Sequence, residues 1–376
     1  MNQGNDKKKS RVSIEGKKIL QQGSRMLDSK DRIRSVDGSG LIRLVSGFPE
    51  QMIRACGFEI PVLTKQPSSV KGVGVVGVCS TRVCAIVLRS LMDRTGSVPV
   101  FSFNSFSLPG WITKEIPLIF ISFSGNTQQV LSCFEQALER KIPCLAVTSG
   151  GSLKRKAQER AVPVIEIPKE QPPNRTVLPY MLVPLLLTCI RTGLLRLEEA
   201  EIQSSAQMLT GKRTVWGPDT LMKENLAKQI AAICFDKQPL IYTEDPALEG
   251  VVLRWRNDFN ENAKVLACIS QLPEMSHNEI VGLQGNGSPD SKAPLFLSTR
   301  KKDSPAFERL DITIRTLEEF GYRPVEIPVE GGTDLERILY GILLGDHVSV
   351  YLAVLKGVDT HAVDLIDSIR VKDKSF

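Results

Sequence analysis

Hydroxyl side chains are concentrated in one short segment, residues 118–129, which reads LIFISFSGNTQQ. Its first four residues form a continuous apolar run, which is typical of a buried parallel strand. Ser122, Ser124 and Thr127 follow at the point where a polar helix is predicted to begin. Hydroxyls and free backbone N–H groups at a helix N-terminus bind phosphate, and Gly125 lets the backbone approach such a ligand. The segment therefore predicts a phosphate-binding loop, although a simple strand–turn–helix with an N-capping residue would have the same sequence.

The rest of the sequence narrows the class of ligand. No Lys of the GxxxxGK[ST] type follows Gly125, so a nucleotide P-loop is not predicted, and a smaller phosphate ester fits better. The net charge of +6 lies in residues 1–35, which hold ten Lys or Arg and four Asp or Glu, and the remaining residues are neutral in sum. Such a body, with few aromatic residues for stacking on bases, is not expected to bind nucleic acid.

The cysteines and the apolar stretches bear on compartment and cofactors. Eight cysteines are scattered without a CxxC pair, and there are only three His. This pattern predicts reduced thiols in a cytoplasmic protein, with neither a disulfide framework nor a metal or other cofactor. The basic head lacks the apolar core of a secretory signal. The most apolar stretch, residues 177–190, is too short to span a membrane and contains two Pro, so a buried core helix is predicted.

Strand and helix patterns alternate along most of the chain, which predicts an α/β fold. The expected strands of the first half are 73–78, 98–103, 118–123, 144–148 and 162–167, and the expected helices are 83–92, 127–141, one from 150 and one from 176. The expected strands of the second half are 239–242, 263–267, 295–297 and 325–329, and the expected helices are 307–320 and 335–355. Each half should form a doubly wound parallel sheet flanked by helices, with ligands bound at the carboxyl ends of the strands.

The length of 376 residues predicts two domains. We assign residues 26–200 to a first domain with a helical lead-in and residues 237–376 to a second domain with C-terminal helices. Residues 201–236 are polar and helical, and they are predicted to connect the two. Residues 1–25 form a basic head that is predicted to be disordered. The two domains could be duplicates, although no residue-level repeat is visible.

Four segments together resemble the bifunctional phosphoglucose/phosphomannose isomerases, a family built from two sugar isomerase (SIS) domains. They are residues 25–52 (with Asp37, Ser39, Gly40, Pro49, Glu50 and Gln51 matching), the loop at 122–127, Pro-Asn-Arg at 173–175, and residues 260–280. The last segment is the most specific match, because Asn-Glu at 260–261 and His-Asn-Glu at 277–279 recur at the family spacing. The resemblance covers roughly residues 25–370. It implies an aldose–ketose isomerase that interconverts glucose 6-phosphate, and also mannose 6-phosphate, with fructose 6-phosphate.

Such a reaction needs a base that moves a proton between C1 and C2 through an enediol, and a carboxylate can do this without a metal. Glu261, at the exit of an Arg-rich helix, is the candidate base. Opening of the cyclic sugar needs a separate acid/base, for which His277 is the candidate because an imidazole titrates near neutrality. The family takes this His from the neighbouring subunit, so the resemblance implies a homodimer. Taken singly, both residues are more often surface or capping residues.

Two further residues of these segments have alternative roles. Arg175 could pair with the substrate or with the enediol oxygen, or it could form a salt bridge at a helix start. Glu279 follows Ser276 at the spacing of a capping box, which predicts that His277 lies in the first turn of a helix. Thr360 is a candidate substrate contact, whereas His347 and His361 are assigned structural or surface roles.

The match to the family breaks at two places. The family has a glycine-rich turn, GMGGSxIGG, after its first strand, and here Cys79, Ser80 and Thr81 replace its central residues. Side chains there narrow the space for substrate, although Ser80 or Thr81 could contact the sugar. The family also uses a Lys near its carboxyl terminus. Arg370 falls at that position with Lys372 two residues beyond, and Arg can hold a charge but cannot donate a proton.

These departures leave two alternatives to the isomerase. One is an SIS protein that senses sugar phosphates without converting them, although Glu261 and His277 would then have no purpose, and residues 1–35 are too short for a DNA-binding helix-turn-helix. The other is an isomerase for an amino-sugar or pentose phosphate. The paired domains and the segment at 260–280 argue against it.

Overall fold

The structure is a computed structural model that describes residues 23–63, 67–169, 174–285, 288–300 and 305–372. Most of the predicted basic head, residues 1–22, lies outside the described residues. A helical lead-in comes first, comprising α1 (Lys30–Val36), α2 (Leu41–Ser46) and α3 (Phe48–Cys56). Gly40 has φ +69°, and both carboxylate oxygens of Asp37 accept backbone N–H groups of α2, so the matching residues of this segment shape the lead-in.

The first half continues with five strands and four helices, which alternate as the sequence predicted. They are β1 (Val73–Val76), α4 (Ser80–Thr95), β2 (Val100–Phe103), β3 (Leu118–Ile121), α5 (Gln128–Glu139), β4 (Cys144–Thr148), α6 (Gly151–Glu159), β5 (Val164–Glu166) and α7 (Leu178–Arg191). Short 3-10 turns lie at Pro67–Ser69 and Asn174–Val177. The predicted apolar core helix is confirmed, since α7 is buried almost throughout and has Pro179 in its first turn.

Two helices, α8 (Glu199–Trp216) and α9 (Leu226–Cys234), lead into the second half. The second half contains β6 (Gln238–Thr243), α10 (Glu249–Glu261), β7 (Cys268–Gln271), α11 (Glu279–Leu283), β8 (Lys292–Ser298), α12 (Pro305–Glu319), β9 (Val325–Pro328), α13 (Asp334–Lys356) and α14 (Asp364–Lys372). Further 3-10 turns lie at Met222–Glu224, Pro246–Leu248, Glu274–Ser276 and Pro289–Ser291. Both α8 and α9 bury apolar residues in the main core, so they do more than connect.

The two sheets share one topology. All strand pairs are parallel, and the orders are β2-β1-β3-β4-β5 in the first sheet and β7-β6-β8-β9 in the second. In each sheet the first strand of the half lies between its second and third strands. The strand order therefore reverses beside β1 in the first sheet and beside β6 in the second, and ligands bind at such switch points.

One helix, α13, holds the two halves together. Its residues from 338 to 355 are buried, and it packs against α8, α9 and α10. Gly345 lies against Trp255 of α10, where an added Cβ would stand 2.2 Å from the indole nitrogen, so the two helices approach closely. By length and composition α13 is the one helix in the described ranges that could cross a membrane, but its apolar window is wholly buried inside the protein.

Two local predictions are wrong. Residues 263–267 form no strand, because they close α10: Ala263 and Val265 donate to the Phe259 carbonyl and Lys264 has φ +53°. The strand lies one step later, at β7. Ser276 and Glu279 form no capping box either, since Ser276 Oγ bonds to Thr313 and Glu279 accepts from the Tyr242 hydroxyl.

Candidate active site

The hydroxyl-rich loop lies at the carboxyl end of β3, next to the end of β1. The Ser122 and Thr127 hydroxyl oxygens are 2.9 Å apart, and Ser122 Oγ accepts the Gly125 N–H at 3.1 Å. Thr127 is the N-cap of α5, yet its side chain makes no capping hydrogen bond, so its hydroxyl is not committed to the helix. Ser124 is exposed at the rim of the loop. Phosphate binding here stays a prediction, and the loop has the geometry that an anion at a helix N-terminus requires.

A second small-residue turn, residues 148–152, supports this loop from behind. Gly125 has φ +69°, and an added Cβ would stand 1.8 Å from the Gly150 carbonyl oxygen. Asn126 Oδ1 accepts the Ser152 N–H at 3.0 Å, and the Leu153 N–H bonds to the Gly125 carbonyl at 2.8 Å. The turn at 148–152 is therefore a structural support for the loop.

The turn after β1 brings three more polar side chains to the same edge. Cys79 is the N-cap of α4 and has φ +58° and ψ −119°, a conformation that usually requires glycine. Ser80 accepts a hydrogen bond from Arg254 at 3.3 Å, and the Thr81 hydroxyl donates to the Val78 carbonyl at 2.8 Å. Both hydroxyl residues are almost buried, and both line the space above the strand ends.

Glu261 approaches this edge from the second half, as the last residue of α10. Its Oε1 accepts a hydrogen bond from Cys79 Sγ at 3.1 Å, and its Oε2 lies 3.6 Å from Nη1 of Arg175. The Glu261 side chain is 20% exposed, and it lines the same cavity as Ser122, Ser124 and Thr127. These groups lie far apart in the sequence, and the fold brings them into one cavity.

Arg175 is fixed on three sides. Its side chain is 6% exposed, Nε donates to Asn262 Oδ1 at 2.5 Å, and Nη2 donates to the Thr360 carbonyl at 2.6 Å. Asn262 is held in turn by the Ser349 hydroxyl at 2.9 Å. Burial lowers the pKa of Arg175, while Glu261 opposes that shift. A guanidinium stays charged under such conditions, so Arg175 is a rigid cation at the cavity wall.

A buried charge cluster lies behind Arg175 and Ser80. Arg254 Nε lies 2.8 Å from Asp258 and 2.9 Å from Asp346, and its Nη2 donates to the Arg175 carbonyl at 2.6 Å. Burial raises the pKa of Asp258, and Asp346 and Glu261 add to the rise while Arg254 opposes it. The cluster fixes the backbone of Arg175 and the hydroxyl of Ser80, so its part in the site is structural.

These side chains enclose a cavity of about 590 Å³. Its walls come from the turn after β1, the hydroxyl-rich loop, α7, the end of α10 and the α13–α14 segment. Its lining residues are Val78, Cys79, Ser80, Thr81, Ser122, Phe123, Ser124, Thr127, Arg175, Met181, Glu261, His361, Val363, Ile366, Asp367 and Ile369. A volume of this size suits a small ligand such as a hexose phosphate.

Other predicted site residues lie elsewhere. His277 is exposed beyond the end of β7 and is not part of the cavity wall of its own chain. Thr360 is fully buried and donates to Asp37 at 2.7 Å, so it is not the substrate contact that the sequence suggested. Arg370 lies on α14, but its side chain is outside those that the structure describes. Lys372 is exposed at the end of that helix.

The structure adds residues that sequence reasoning missed. His361 lines the cavity, although the sequence suggested a structural or surface role. His347 has such a role, since it is buried and its ring nitrogens bond to Ser46 and to the Leu343 carbonyl. Asn262 accepts a hydrogen bond from Arg175. It directly follows Glu261 in the segment at 260–280, but no role was predicted for it. Within the described ranges, no group of three or more His, Cys, Asp or Glu is placed to hold a metal ion.

Comparison with known proteins gives one consistent result. Residues 223–372 match the family model of the bacterial phospho-glucose isomerase C-terminal SIS domain. The chain is 31% identical over 335 residues to a bifunctional phosphoglucose/phosphomannose isomerase of Aquifex aeolicus, and the match covers 87% of this chain and 96% of that protein. It is 30% identical over 334 residues to a protein of the same name from Caldicellulosiruptor bescii, with coverage of 87% and 97%.

A solved structure agrees at the level of fold. A glucose-6-phosphate isomerase like protein from Thermus thermophilus superimposes with a TM-score of 0.58 and 18% sequence identity, covering 92% of this chain and 99% of that chain. The predicted α/β fold, with parallel sheets flanked by helices, is confirmed.

Proposed function

The chain belongs to the family of bifunctional phosphoglucose/phosphomannose isomerases, and we propose that it interconverts glucose 6-phosphate and mannose 6-phosphate with fructose 6-phosphate. One observation carries this proposal: the carboxylate of Glu261 and the hydroxyls of Ser122, Ser124 and Thr127 line a single cavity. A base and a candidate anion site in one cavity suit a sugar whose phosphate is bound at one point while its C1 and C2 react at another.

In the proposed mechanism the phosphate lies against the hydroxyl-rich loop and the N-terminus of α5. Glu261 removes the C2 proton of the open-chain aldose, the C–H electrons form a C1–C2 double bond, and the carbonyl electrons move to O1. Arg175 stabilises the charge on that oxygen. Glu261 returns the proton to C1 while the hydroxyl proton passes from O2 to O1, which gives the ketose. Glucose and mannose phosphates differ only at C2, so they share this enediol.

Ser80 and Thr81 line the same cavity as Glu261 and the loop, and we propose that they contact the sugar. Arg370 remains a candidate for holding charge near the reacting carbons. The protein is proposed to work in the cytoplasm on a phosphorylated hexose, without nucleic acid or membrane as a partner.

The main test is a coupled assay for fructose 6-phosphate formation from each aldose phosphate. For Glu261→Gln we expect turnover to fall by about a thousandfold or more, because the base is lost, while calorimetry still detects fructose 6-phosphate binding. Glu249→Gln, in the first turn of the same helix and outside the cavity, is the matched control and keeps activity. Binding without turnover in the unaltered protein would instead make it a sugar-phosphate sensor.

We further propose a homodimer in which His277 of one subunit opens the sugar ring in the cavity of its partner. The exposed position of His277, away from its own cavity, supports this arrangement. His361 lies in the cavity already, so it is the competing candidate for the same step.

A mixing experiment separates the two. Glu261→Gln and His277→Ala are each expected to be nearly inactive, but refolding them together should restore activity, because each mixed dimer then contains one intact site. Inactive mixtures would overturn the shared site, and a His361→Ala variant that is inactive while His277→Ala is active would assign ring opening to His361.

A further inference from the structure

We propose that Cys79 is a positioning residue that fixes the Glu261 carboxylate through an S–H···O hydrogen bond, an inference that rests on the proposed function of Glu261. Cys79 Sγ lies 3.1 Å from Oε1, and Arg175 Nη1 lies 3.6 Å from Oε2. Each carboxylate oxygen therefore has its own partner, and the two partners approach from different elements. Glu261 alone, as the last residue of a helix with an exposed side, would have several rotamers available.

The backbone at Cys79 gives independent support. With φ +58° and ψ −119°, Cys79 has a conformation that is unfavourable for any residue with a Cβ. The side chain makes no capping hydrogen bond to α4. Its hydrogen bond goes to Glu261 instead. A strained residue whose side chain bonds to the candidate base indicates that the side chain serves the site.

The protonation state of the thiol fits a donor. Desolvation by the surrounding cavity wall, and next the charge of Glu261, raise the pKa of Cys79 to about 12, although the residue is exposed to the cavity. The sulfur therefore keeps its proton at neutral pH and donates it to the carboxylate. A thiolate is the form that reacts with oxidants and alkylating reagents, so Cys79 should react slowly although it faces the cavity. This distinguishes a positioning role from a redox-sensitive one.

A fixed carboxylate matters because proton transfer from carbon depends strongly on the direction of the base. The thiol and Arg175 hold the Glu261 oxygens, while the remaining lone pairs face the cavity. Loss of the thiol should leave the substrate-binding groups unchanged and reduce the fraction of Glu261 that points at the substrate. The expected effect is therefore on kcat rather than on KM.

The test compares three substitutions at one position. Cys79→Gly removes the donor and relieves the backbone strain, Cys79→Ala removes the donor alone, and Cys79→Ser keeps a donor. We expect Cys79→Gly and Cys79→Ala to lower kcat by roughly threefold to thirtyfold with KM changed by less than about twofold, as for the loss of one hydrogen bond to a charged group. Cys79→Ser should stay within about threefold of the unaltered kcat.

The pH profile provides a readout that a purely structural role would not move. The carboxylate loses a donor that favours its ionised form, so the acidic limb of kcat should move to higher pH in Cys79→Gly and Cys79→Ala and stay in place in Cys79→Ser. The other charged or titratable groups near Glu261 are unchanged in all three variants. They are Arg175, Arg254, Asp258, Lys264, His361 and Asp367.

The Cys79→Gly variant distinguishes a structural role of Cys79 from a positioning role. A structural role predicts that this variant is more stable and at least as active, whereas the positioning role predicts that it is at least as stable and slower. An unchanged kcat and pH profile in Cys79→Gly would overturn the proposal while leaving the isomerase function intact. If the unaltered protein has no turnover, an NMR titration of the Glu261 carboxyl replaces kinetics: its midpoint should rise in Cys79→Ala and not in Cys79→Ser, and equal midpoints would refute the hydrogen bond.

Discussion

The two sheets have the same strand order, but their switch points are filled differently. In the first half, the hydroxyls beside β1 and β3 line an open cavity. In the second half, the corresponding hydroxyls belong to Ser298, the last residue of β8, and to Thr299 after it, and they bond to the protein's own carboxylates. Ser298 Oγ and the Thr299 N–H donate to Glu244 at 2.9 Å, and the Thr299 hydroxyl donates to Asp245 at 3.0 Å.

This difference shows how two copies of one strand arrangement can present hydroxyls to an open cavity in one case and use them in internal hydrogen bonds in the other. Glu244 and Asp245, which directly follow β6, are both about 95% buried or more. They place carboxylates at the switch point of the second sheet. In the described part of the chain, the switch point of the first sheet opens into a cavity lined by hydroxyls, whereas that of the second sheet is filled by these carboxylates.

The first half, with its cavity, is the open copy, and the second half, with its buried carboxylates, is the filled copy. The largest effect is expected from adding a side chain at Gly125 in the loop of the open copy. Gly125→Ala places a methyl group 1.8 Å from the Gly150 carbonyl oxygen at a φ of +69°, so the two loops must separate. We expect the free energy of unfolding to fall by about 3 kcal/mol or more, with loss of phosphate binding. Gly193→Ala is the matched control, since Gly193 has φ +74° and nothing within 4 Å. Urea unfolding of both variants measures the difference, and equal losses would mean that the contact with Gly150 is unimportant.

A smaller effect should distinguish the two copies directly. Ser122→Ala and Thr127→Val each remove a hydroxyl from the open copy, so KM for fructose 6-phosphate should rise by about tenfold with little loss of stability. Ser298→Ala removes the equivalent hydroxyl from the filled copy. There KM should stay the same, and the free energy of unfolding should fall by about 1–2 kcal/mol because Glu244 loses a donor. A raised KM in Ser298→Ala would break the distinction between the copies.

The smallest effect concerns the charge in the filled copy. Burial raises the pKa of Glu244 above its ordinary value of 4.5. At pH values between 4.5 and the raised pKa, the folded protein therefore binds more protons than the unfolded chain. Stability due to this group is therefore lost as the pH rises through that window. Glu244→Gln should remove that pH dependence, which urea unfolding measured over a series of pH values above 4.5 checks. A parallel curve for the variant would show that Glu244 does not titrate there.

Local sequence patterns were sufficient for the repeating parts of the fold. Apolar runs ending in small polar residues predicted the strands β3 and β4 and the loop at 122–127, because burial on both faces leaves a continuous apolar signal. The strand predicted at 263–267 was wrong because a helix-closing turn and a short strand share the same apolar composition. The capping box at 276–279 was wrong because Tyr242 and Thr313, distant in sequence, bind its two side chains.

The site shows the same limit. Glu261 was predicted from the resemblance of residues 260–280 to the family and from the need for a carboxylate base, and the fold places it in one cavity with the hydroxyl-rich loop. The partners of Glu261 could not be predicted, because the contact with Cys79 spans 182 residues and depends on how α4 packs on α10. The position of His361 at the cavity could not be predicted for the same reason. Its place at the cavity is set by the path of the chain after α13, which no local pattern records.

The cavity is assembled from segments that lie far apart in the sequence, and its outer wall is α14 and the turn before it. The core helix α13 precedes that wall, so a chain that ends or is cleaved after Gly357 would keep its main core and lose His361, Val363 and Ile366 from the cavity. Proteolysis at this point would leave the main core folded and abolish catalysis. Activity in a cell extract would then report on intact carboxyl-terminal sequence, whereas antibody signal would not.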